Sequence, residues 1–172
     1  AKSDYEVMVE CAETLKKFGV PYELVVSSAL KSPNRTKEYI KTAEEKGAQV
    51  FIAAAGMAAH LGGTVAANTT KPVLGVPIES GALKGEDALL STVMMSDGMP
   101  VGTLAIGKAG AVNAAYLAIQ IMALQDDELN VKLQEDRISK AKKVELDSSE
   151  IEIILFHCRP LHLGHEPYPG QE

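Results

Sequence analysis

The 172-residue sequence predicts an α/β protein with an open parallel sheet covered by helices on both faces. Helix patterns alternate with short apolar runs along most of the chain. These runs lack the in-and-out alternation of a half-exposed strand, which is typical of strands buried on both faces. The composition agrees, because aromatic residues make up only 5% and Gly numbers 14, which favours closely packed Ala-rich helices over a β-sandwich.

The first half of the chain predicts two helices and two strands. A helix follows Asp4, a candidate N-cap, and ends before Gly19. The strand Leu24–Val26, a helix over about Asn34–Lys46 and the strand Val50–Ile52 come next. The apolar face of the first helix consists of Val7, Met8, Cys11, Leu15 and Phe18.

The second half continues the alternation. Strands are predicted at Val73–Leu74 and Val101–Ile106, and an Ala-rich helix is predicted over Val112–Leu124. A charged amphipathic helix over about Asp127–Val144 closes the regular part. The second half of the chain is therefore expected to add strands to the same sheet and helices that cover it.

The two ends of the sequence depart from this pattern. The domain prediction is one α/β domain over residues 1–148 and an atypical tail over residues 149–172, which is apolar and then rich in His and Pro. The sequence opens on a helix, without the strand that should precede it. We therefore expect the first strand of the sheet to be missing.

Charge and cysteine usage exclude several classes of function. The 17 basic and 23 acidic residues give a net charge of −6, which argues against a nucleic-acid or anionic-membrane surface. Two cysteines, Cys11 and Cys158, cannot form a disulfide framework. No apolar run reaches transmembrane length and no signal peptide is apparent, so a cytoplasmic location is expected.

Ligands of open parallel sheets bind beyond the carboxyl ends of the strands. That rule points to the loop Ser27–Ala29, to the segment Ala53–Gly63 and to the residues before Asp4. The segment Ala53–Gly63 carries His60 among small residues, which let a ligand approach the backbone. The same small residues could instead simply pack a helix on the sheet. No dinucleotide fingerprint or phosphate loop is present.

Two further clusters contain side chains that can bind ligands. Ser27, Ser28 and Ser32 with Lys31 could hold a phosphate, or could form a polar turn with a helix cap at Ser32 or Asn34. The tail carries four potential metal ligands without regular spacing, so no metal site is expected there. These four residues are His157, Cys158, His162 and His165.

Several motifs in the sequence resemble those of one known family. They are K-S-D at Lys2–Asp4, S-A-L-K-S-P at Ser28–Pro33 after V-V-S, A-G-M-A-A-H-L at Ala55–Leu61, K-P-V-L-G-V-P at Lys71–Pro77, and the long block Gly98–Gly110. The sequence resembles the PurE family, the N5-carboxyaminoimidazole ribonucleotide (N5-CAIR) mutases of purine biosynthesis, over about residues 1–145. The likeness is to the bacterial class, since the class that uses free CO2 has R-S-N where this chain has A-A-H.

The resemblance implies a three-layer αβα sandwich with a parallel sheet, of the flavodoxin or Rossmann-like kind, assembled as a homo-octamer. It implies an isomerase that moves a carboxylate within one ribonucleotide, giving 4-carboxyaminoimidazole ribonucleotide (CAIR). No metal or organic cofactor, nucleic acid or membrane is implied as a partner.

The resemblance also implies roles for individual residues. Ser3 and Asp4 would bind phosphate and ribose, Lys31 would keep a charge for the phosphate, and His60 would be catalytic. Other substrate-binding positions would be Ala1, Ser28, Ala29, Gly56, Ala58, Ala59 and Leu61.

The sequence departs from the family pattern at the same site. Leu30 replaces the histidine expected to shuttle a proton, Lys31 replaces an arginine, and Ala1 stands where the family has a phosphate-binding serine. The family's P-G-G loop reads Ser96-Asp97-Gly98. Three functions therefore stay open: a mutase of reduced activity, a non-catalytic homologue that binds a ribonucleotide or serves in assembly, and a generic nucleotide-binding protein.

Overall fold

The computed structural model describes residues 2–157, with side chains up to Ile151 except that of Ser3. The described chain divides within its last helix into two compact units, one ending at Lys132 and one beginning at Leu133. After a short 3₁₀ turn at Lys2–Asp4, the elements are α1 (Tyr5–Lys17), α2 (Pro33–Glu45), β1 (Phe51–Gly56), α3 (His60–Ala66), β2 (Val73–Ile78), α4 (Glu86–Val93), β3 (Gly102–Thr103), α5 (Lys108–Ala123) and α6 (Asp127–His157).

The described strands form one parallel sheet in the order β1-β2-β3. Phe51 is opposite Val73 and Gly56 is opposite Ile78, so β1 and β2 end at the same edge. All six residues of β2 are buried, as expected for an apolar strand between two neighbours. The predicted open parallel sheet is confirmed.

The helices of the first unit pack in two groups, which gives the predicted three-layer arrangement. In one group α1 packs against α5, where the rings of Phe18 and Tyr116 meet edge to face with centroids 5.5 Å apart. In the other group α3 packs against β1 and also contacts α2 and α4. The apolar cluster between this group and the sheet contains Ile40, Ala53, Val65, Ala66, Val73 and Val101.

The helix α1 confirms the predicted apolar face. Met8, Cys11, Leu15 and the following Phe18 are buried, and Val7 is half-buried. Asp4 occupies the N-cap position, although its side chain makes no capping hydrogen bond to the helix backbone. The face of α1 that is buried is therefore the one that its apolar spacing predicts.

Three predicted elements differ from the observed ones. Leu24–Val26 has no regular secondary structure and pairs with no strand of residues 2–157, so its assignment as a strand is wrong for this structure. The predicted strand Val101–Ile106 is regular only at Gly102–Thr103, although Leu104 and Gly107 still donate backbone hydrogen bonds to Gly75 and Pro77 of β2. The last helix does not end near Val144 but continues to His157.

Candidate functional site

The loops that follow β1 and β2 meet at the carboxyl edge of the sheet. A Cβ atom on Gly56 would lie 2.9 Å from the Cβ of Ser80 and 3.2 Å from the carbonyl oxygen of Ile78. Contacts this short exclude a side chain, so Gly56 is required for the close approach. Ser80 was not identified from the sequence, although its position just beyond a buried strand was a usable signal.

The turn from β1 into α3 has an uncommon backbone conformation. Met57 and Ala59 both have positive φ angles, 54° and 42°, and the N–H of Ala59 donates to the carbonyl oxygen of Gly56 at 3.1 Å. A non-glycine residue held in this conformation raises the free energy of the folded state by about 1–3 kcal/mol. Residues of this kind cluster at functional sites. The turn buries Ala59 but leaves Ala58 and the first residue of α3, His60, exposed to solvent.

The turn before α2 is closed by its own hydroxyl groups. The Ser28 hydroxyl accepts a hydrogen bond from the Lys31 N–H at 3.1 Å, and the Ser32 hydroxyl donates to the Ser28 carbonyl oxygen at 3.2 Å. Ser32 occupies the N-cap of α2, but its side chain makes no capping bond. These contacts support the interpretation as a polar turn. They leave Lys31 exposed and Leu30 73% exposed at the tip, next to half-buried Ala29.

A groove runs beside β1. We call it the edge groove, and it is lined by Asp4, Tyr5, Met8, Leu24, Val25, Val26, Ser27, Ile52, Ala54 and Leu61. It brings together two of the predicted substrate-binding residues, Asp4 from the start of α1 and Leu61 from α3. The other described candidates lie on the two neighbouring turns rather than in its lining. Ala1 and the side chain of Ser3 are outside the described residues.

The described residues were also compared with the requirements of a metal site. Among residues 2–157, no group of three or more His, Cys, Asp or Glu side chains could hold a metal ion. Of the four potential metal ligands in the tail, Cys158, His162 and His165 lie outside the described residues, as does the side chain of His157.

The buried thiol of Cys11 is not a candidate nucleophile. Burial raises the pKa of this thiol to about 11, so it remains protonated at neutral pH. Separately, no helix of the described part of the chain is long and apolar enough to cross a membrane.

Comparisons of this chain with family models, with named proteins and with solved structures all indicate the same family. The family model for AIR carboxylase matches residues 1–143. The N5-carboxyaminoimidazole ribonucleotide mutase of Bacillus subtilis is 51% identical over 148 residues, which cover 86% of this chain and 91% of the relative. The Escherichia coli protein of the same name is 50% identical over 144 residues, covering 84% of this chain and 85% of the relative.

The fold comparison agrees. The crystal structure of Treponema denticola PurE is similar to this chain with a TM-score of 0.77 and 26% sequence identity. The similarity covers 87% of this chain and 92% of that one.

Proposed function

Since the chain belongs to the AIR carboxylase family, we propose that it acts as an N5-carboxyaminoimidazole ribonucleotide mutase in purine biosynthesis. The observation that carries this proposal is the identity of about half of the aligned residues to mutases from several bacteria. The generic nucleotide-binding alternative would not account for that identity.

The reaction is an internal transfer of a carboxylate. The N–C bond of the carbamate breaks, CO2 is released into the site, and a new C–C bond forms at ring carbon C4. The proton lost from C4 balances the proton gained by the exocyclic nitrogen. The site therefore needs a group that holds and moves one proton, and it must keep CO2 from escaping into water.

The loops at the carboxyl edge of the sheet are the proposed binding site. We assign phosphate and ribose binding to Ser3, Asp4 and Lys31. The wall around the imidazole is assigned to Ser28, Ala29, Gly56, Ala58, Ala59 and Leu61, with Ala1 at the position of a phosphate contact. The shared groove of Asp4 and Leu61, and the close backbone approach at Gly56, support this assignment.

His60 is the proposed catalytic residue. It is one of four histidines in the chain and the one that lies on these loops. An imidazole ring can accept a proton on one nitrogen and return it. Its exposure at the first position of α3 keeps the ring accessible to a ligand.

Leu30 predicts a slow enzyme. It occupies the exposed tip of the turn that the family uses for a proton-carrying histidine, and an aliphatic side chain cannot carry a proton. Loss of one general acid–base group commonly costs about 10²–10⁴-fold in rate. We expect turnover to be lower by that order than in a mutase that keeps the histidine.

The test is an assay of CAIR formation from N5-CAIR by the wild-type chain and by the Leu30→His/Lys31→Arg double variant. The proposal predicts that the double variant is about 10²–10⁴-fold faster. Leu124→His is the matched control, because Leu124 is also highly exposed (78%) but follows α5. A wild-type rate equal to that of an intact mutase, or a double variant no faster than wild type, would contradict the role given to position 30.

The same departure favours a second candidate function, a non-catalytic homologue. Calorimetry with aminoimidazole ribonucleotide separates the cases. Binding without any turnover would support a ribonucleotide-binding protein, and absence of both binding and turnover would support an assembly subunit. Measurable CAIR formation would support the mutase.

We further propose that the chain assembles as a homo-octamer and acts in the cytoplasm on a small-molecule substrate. Light scattering coupled to gel filtration tests the assembly, because an octamer of this 18.3 kDa chain is readily distinguished from a monomer or dimer.

A further inference from the structure

We propose that Ser80 is a positioning residue for His60. It lies in the loop over residues 79–85, which we call the β2–α4 loop, and its side chain packs on the turn over residues 56–60, which we call the β1–α3 turn. Through this contact Ser80 holds the turn in the conformation that presents the imidazole ring at the carboxyl edge of the sheet. The contact itself is independent of the reaction, whereas the use of His60 rests on the proposed function.

The first support is the space that the Ser80 side chain occupies. A Cβ atom on Gly56 would lie 2.9 Å from the Cβ of Ser80 and 3.6 Å from its Oγ. The Ser80 side chain therefore fills the position that a side chain on Gly56 would need, and the two loops meet there. In the described part of the chain the Ser80 hydroxyl makes no hydrogen bond, so the Cβ is the part of this side chain that supports the turn.

The second support is the backbone of the β1–α3 turn, which must be held by its surroundings. Met57 and Ala59 have φ angles of 54° and 42°. Residues other than glycine keep such angles only where the neighbouring structure enforces them. Inside the turn, the N–H of Ala59 donates to the carbonyl oxygen of Gly56 at 3.1 Å. Because Ser80 packs on Gly56 as well, its contact and this hydrogen bond fix the same residue.

The third support is that the β2–α4 loop is held on both sides of Ser80. Before it, the chain leaves β2, whose last residue is opposite the last residue of β1. After it, the loop folds back, and a Cβ on Gly85 would lie 3.2 Å from the Cα of Glu79 and 2.9 Å from a methyl group of Ile106. Gly85 is buried with a φ of 90°, which glycine adopts without strain. Ser80 is therefore carried by a closely packed support.

The contact links the end of β2 to the first residue of α3. His60 follows the β1–α3 turn directly and begins that helix. A change of the φ angles within the turn would move the start of α3 and the imidazole ring with it. A displacement of about 1 Å at a catalytic group can cost about 10²-fold in rate. Ser80 therefore acts on turnover through the position of His60 and without touching the substrate.

The main test measures amide hydrogen exchange of Ala59 in the full chain. Ser80→Gly removes one CH2-sized group, worth about fourfold in a local opening equilibrium, and adds backbone freedom worth about two- to fivefold. We expect the Ala59 amide to exchange about tenfold faster in this variant. Ser80→Ala keeps the Cβ and should retain the wild-type exchange rate. Ser96→Gly is the matched control, because it makes the same change in another irregular segment.

A second measurement follows the His60 ring. Its NMR signals, assigned with a His60→Gln variant, should shift in Ser80→Gly, return to their wild-type positions in Ser80→Ala and stay unchanged in Ser96→Gly. In the assay of CAIR formation, Ser80→Gly should lower kcat by about tenfold and leave KM within about twofold, because the substrate contacts remain.

A reverse test uses Gly56→Ala. Its new Cβ would meet the Ser80 Cβ at 2.9 Å, so this variant should also speed exchange of the Ala59 amide. Adding Ser80→Gly removes the atom in the way and should slow the exchange again. Two changes that each loosen the turn would instead add if Gly56 and Ser80 were not in contact. Additive acceleration would therefore contradict the proposal.

Three further results would overturn it. One is unchanged Ala59 exchange together with unchanged His60 signals in Ser80→Gly. Another is an equal effect of Ser80→Ala, which would assign the role to the hydroxyl group, and the third is an equal effect of Ser96→Gly. A chain that forms no CAIR but shows the Ser80-dependent exchange would contradict only the mutase proposal. A chain that forms CAIR with exchange independent of Ser80 would contradict only the positioning role.

Discussion

Gly110, in the first turn of α5, offers a sharp test of the packing between α5 and the segment that precedes it. A Cβ at this position would lie 1.6 Å from the carbonyl oxygen of Ala105 and 2.6 Å from its carbonyl carbon. Non-bonded carbon and oxygen atoms need about 3.3 Å, so Gly110→Ala must separate the two segments by roughly 1.7 Å. The backbone of Ala105 cannot rotate away as a side chain would. Leu104 and Gly107 also tie this segment to β2 by hydrogen bonds of 2.9 Å.

The expected change in the free energy of unfolding of Gly110→Ala is the sum of one stabilising and two destabilising contributions. A Gly→Ala change in a helix gains up to about 1 kcal/mol of propensity. Overpacking costs about 1–3 kcal/mol, and each disrupted backbone hydrogen bond costs about 1 kcal/mol more. We therefore expect Gly110→Ala to lower the free energy of unfolding by about 2–4 kcal/mol, which is large against a typical total of about 5–15 kcal/mol.

The assay is urea unfolding followed by circular dichroism, with Gly62→Ala as the matched control. Gly62 is also helical and buried, but a Cβ there would be 3.5 Å from its nearest neighbour, a methyl group of Val101. That variant should stay within about 1 kcal/mol of wild type. If Gly110→Ala were as stable as Gly62→Ala, the steric reasoning would be refuted.

Other perturbations should have equally direct readouts. Hydrogen bonds from Lys46 and Tyr39 lower the pKa of Glu23 below its usual range, so wild type should be more stable than Glu23→Gln at neutral pH. That advantage should vanish as pH falls through the lowered pKa, as followed by urea unfolding at several pH values. Burial raises the pKa of Cys11 to about 11, so iodoacetamide should label its peptide only after unfolding, as read by mass spectrometry. Ile119→Ala, at a fully buried position, should cost about 2–5 kcal/mol in urea unfolding, and a smaller loss would contradict tight packing of α5.

The parts of the fold that follow from local pattern were predictable from the sequence. β2 is a continuous apolar run and is buried along its whole length, and the apolar spacing of α1 matches its buried face. The irregular stretch Leu24–Val26, expected to be a strand, was not predictable in the same way. A strand is defined by its neighbour, and the apolar residues of this segment do not reveal whether a neighbour is present.

The C-terminal end of α6 was predicted too early in the sequence. The change of composition near Ser149, to an apolar and then His- and Pro-rich sequence, predicted that the regular helix ends before it. In the structure the Ser149 hydroxyl donates to the Glu145 carbonyl oxygen at 3.0 Å, which satisfies it inside the helix. The helix therefore continues past this residue to His157.

Site details that depend on contacts between distant residues could not be read from the sequence. The general rule for parallel sheets placed the loop containing Gly56 at the carboxyl edge, where the structure has it, and binding of a ligand by this loop stays a prediction. The positive φ angles of Met57 and Ala59 and the contact of Gly56 with Ser80 arise from the packing of two loops. Methionine and alanine rarely adopt positive φ angles, so their presence in the sequence does not indicate this conformation.

The Ala-rich face of α5 has a thermodynamic consequence. Its buried residues include Ala111, Ala114, Ala115 and Ala118, which lose no rotamer freedom when the helix docks. Such a face orders at low cost in conformational entropy, but each methyl removes little apolar surface from water. Since apolar surface dominates the heat capacity of unfolding, this layer should contribute less to it than a Leu-rich layer of equal length. The stability of the domain should accordingly vary more gently with temperature than its size suggests.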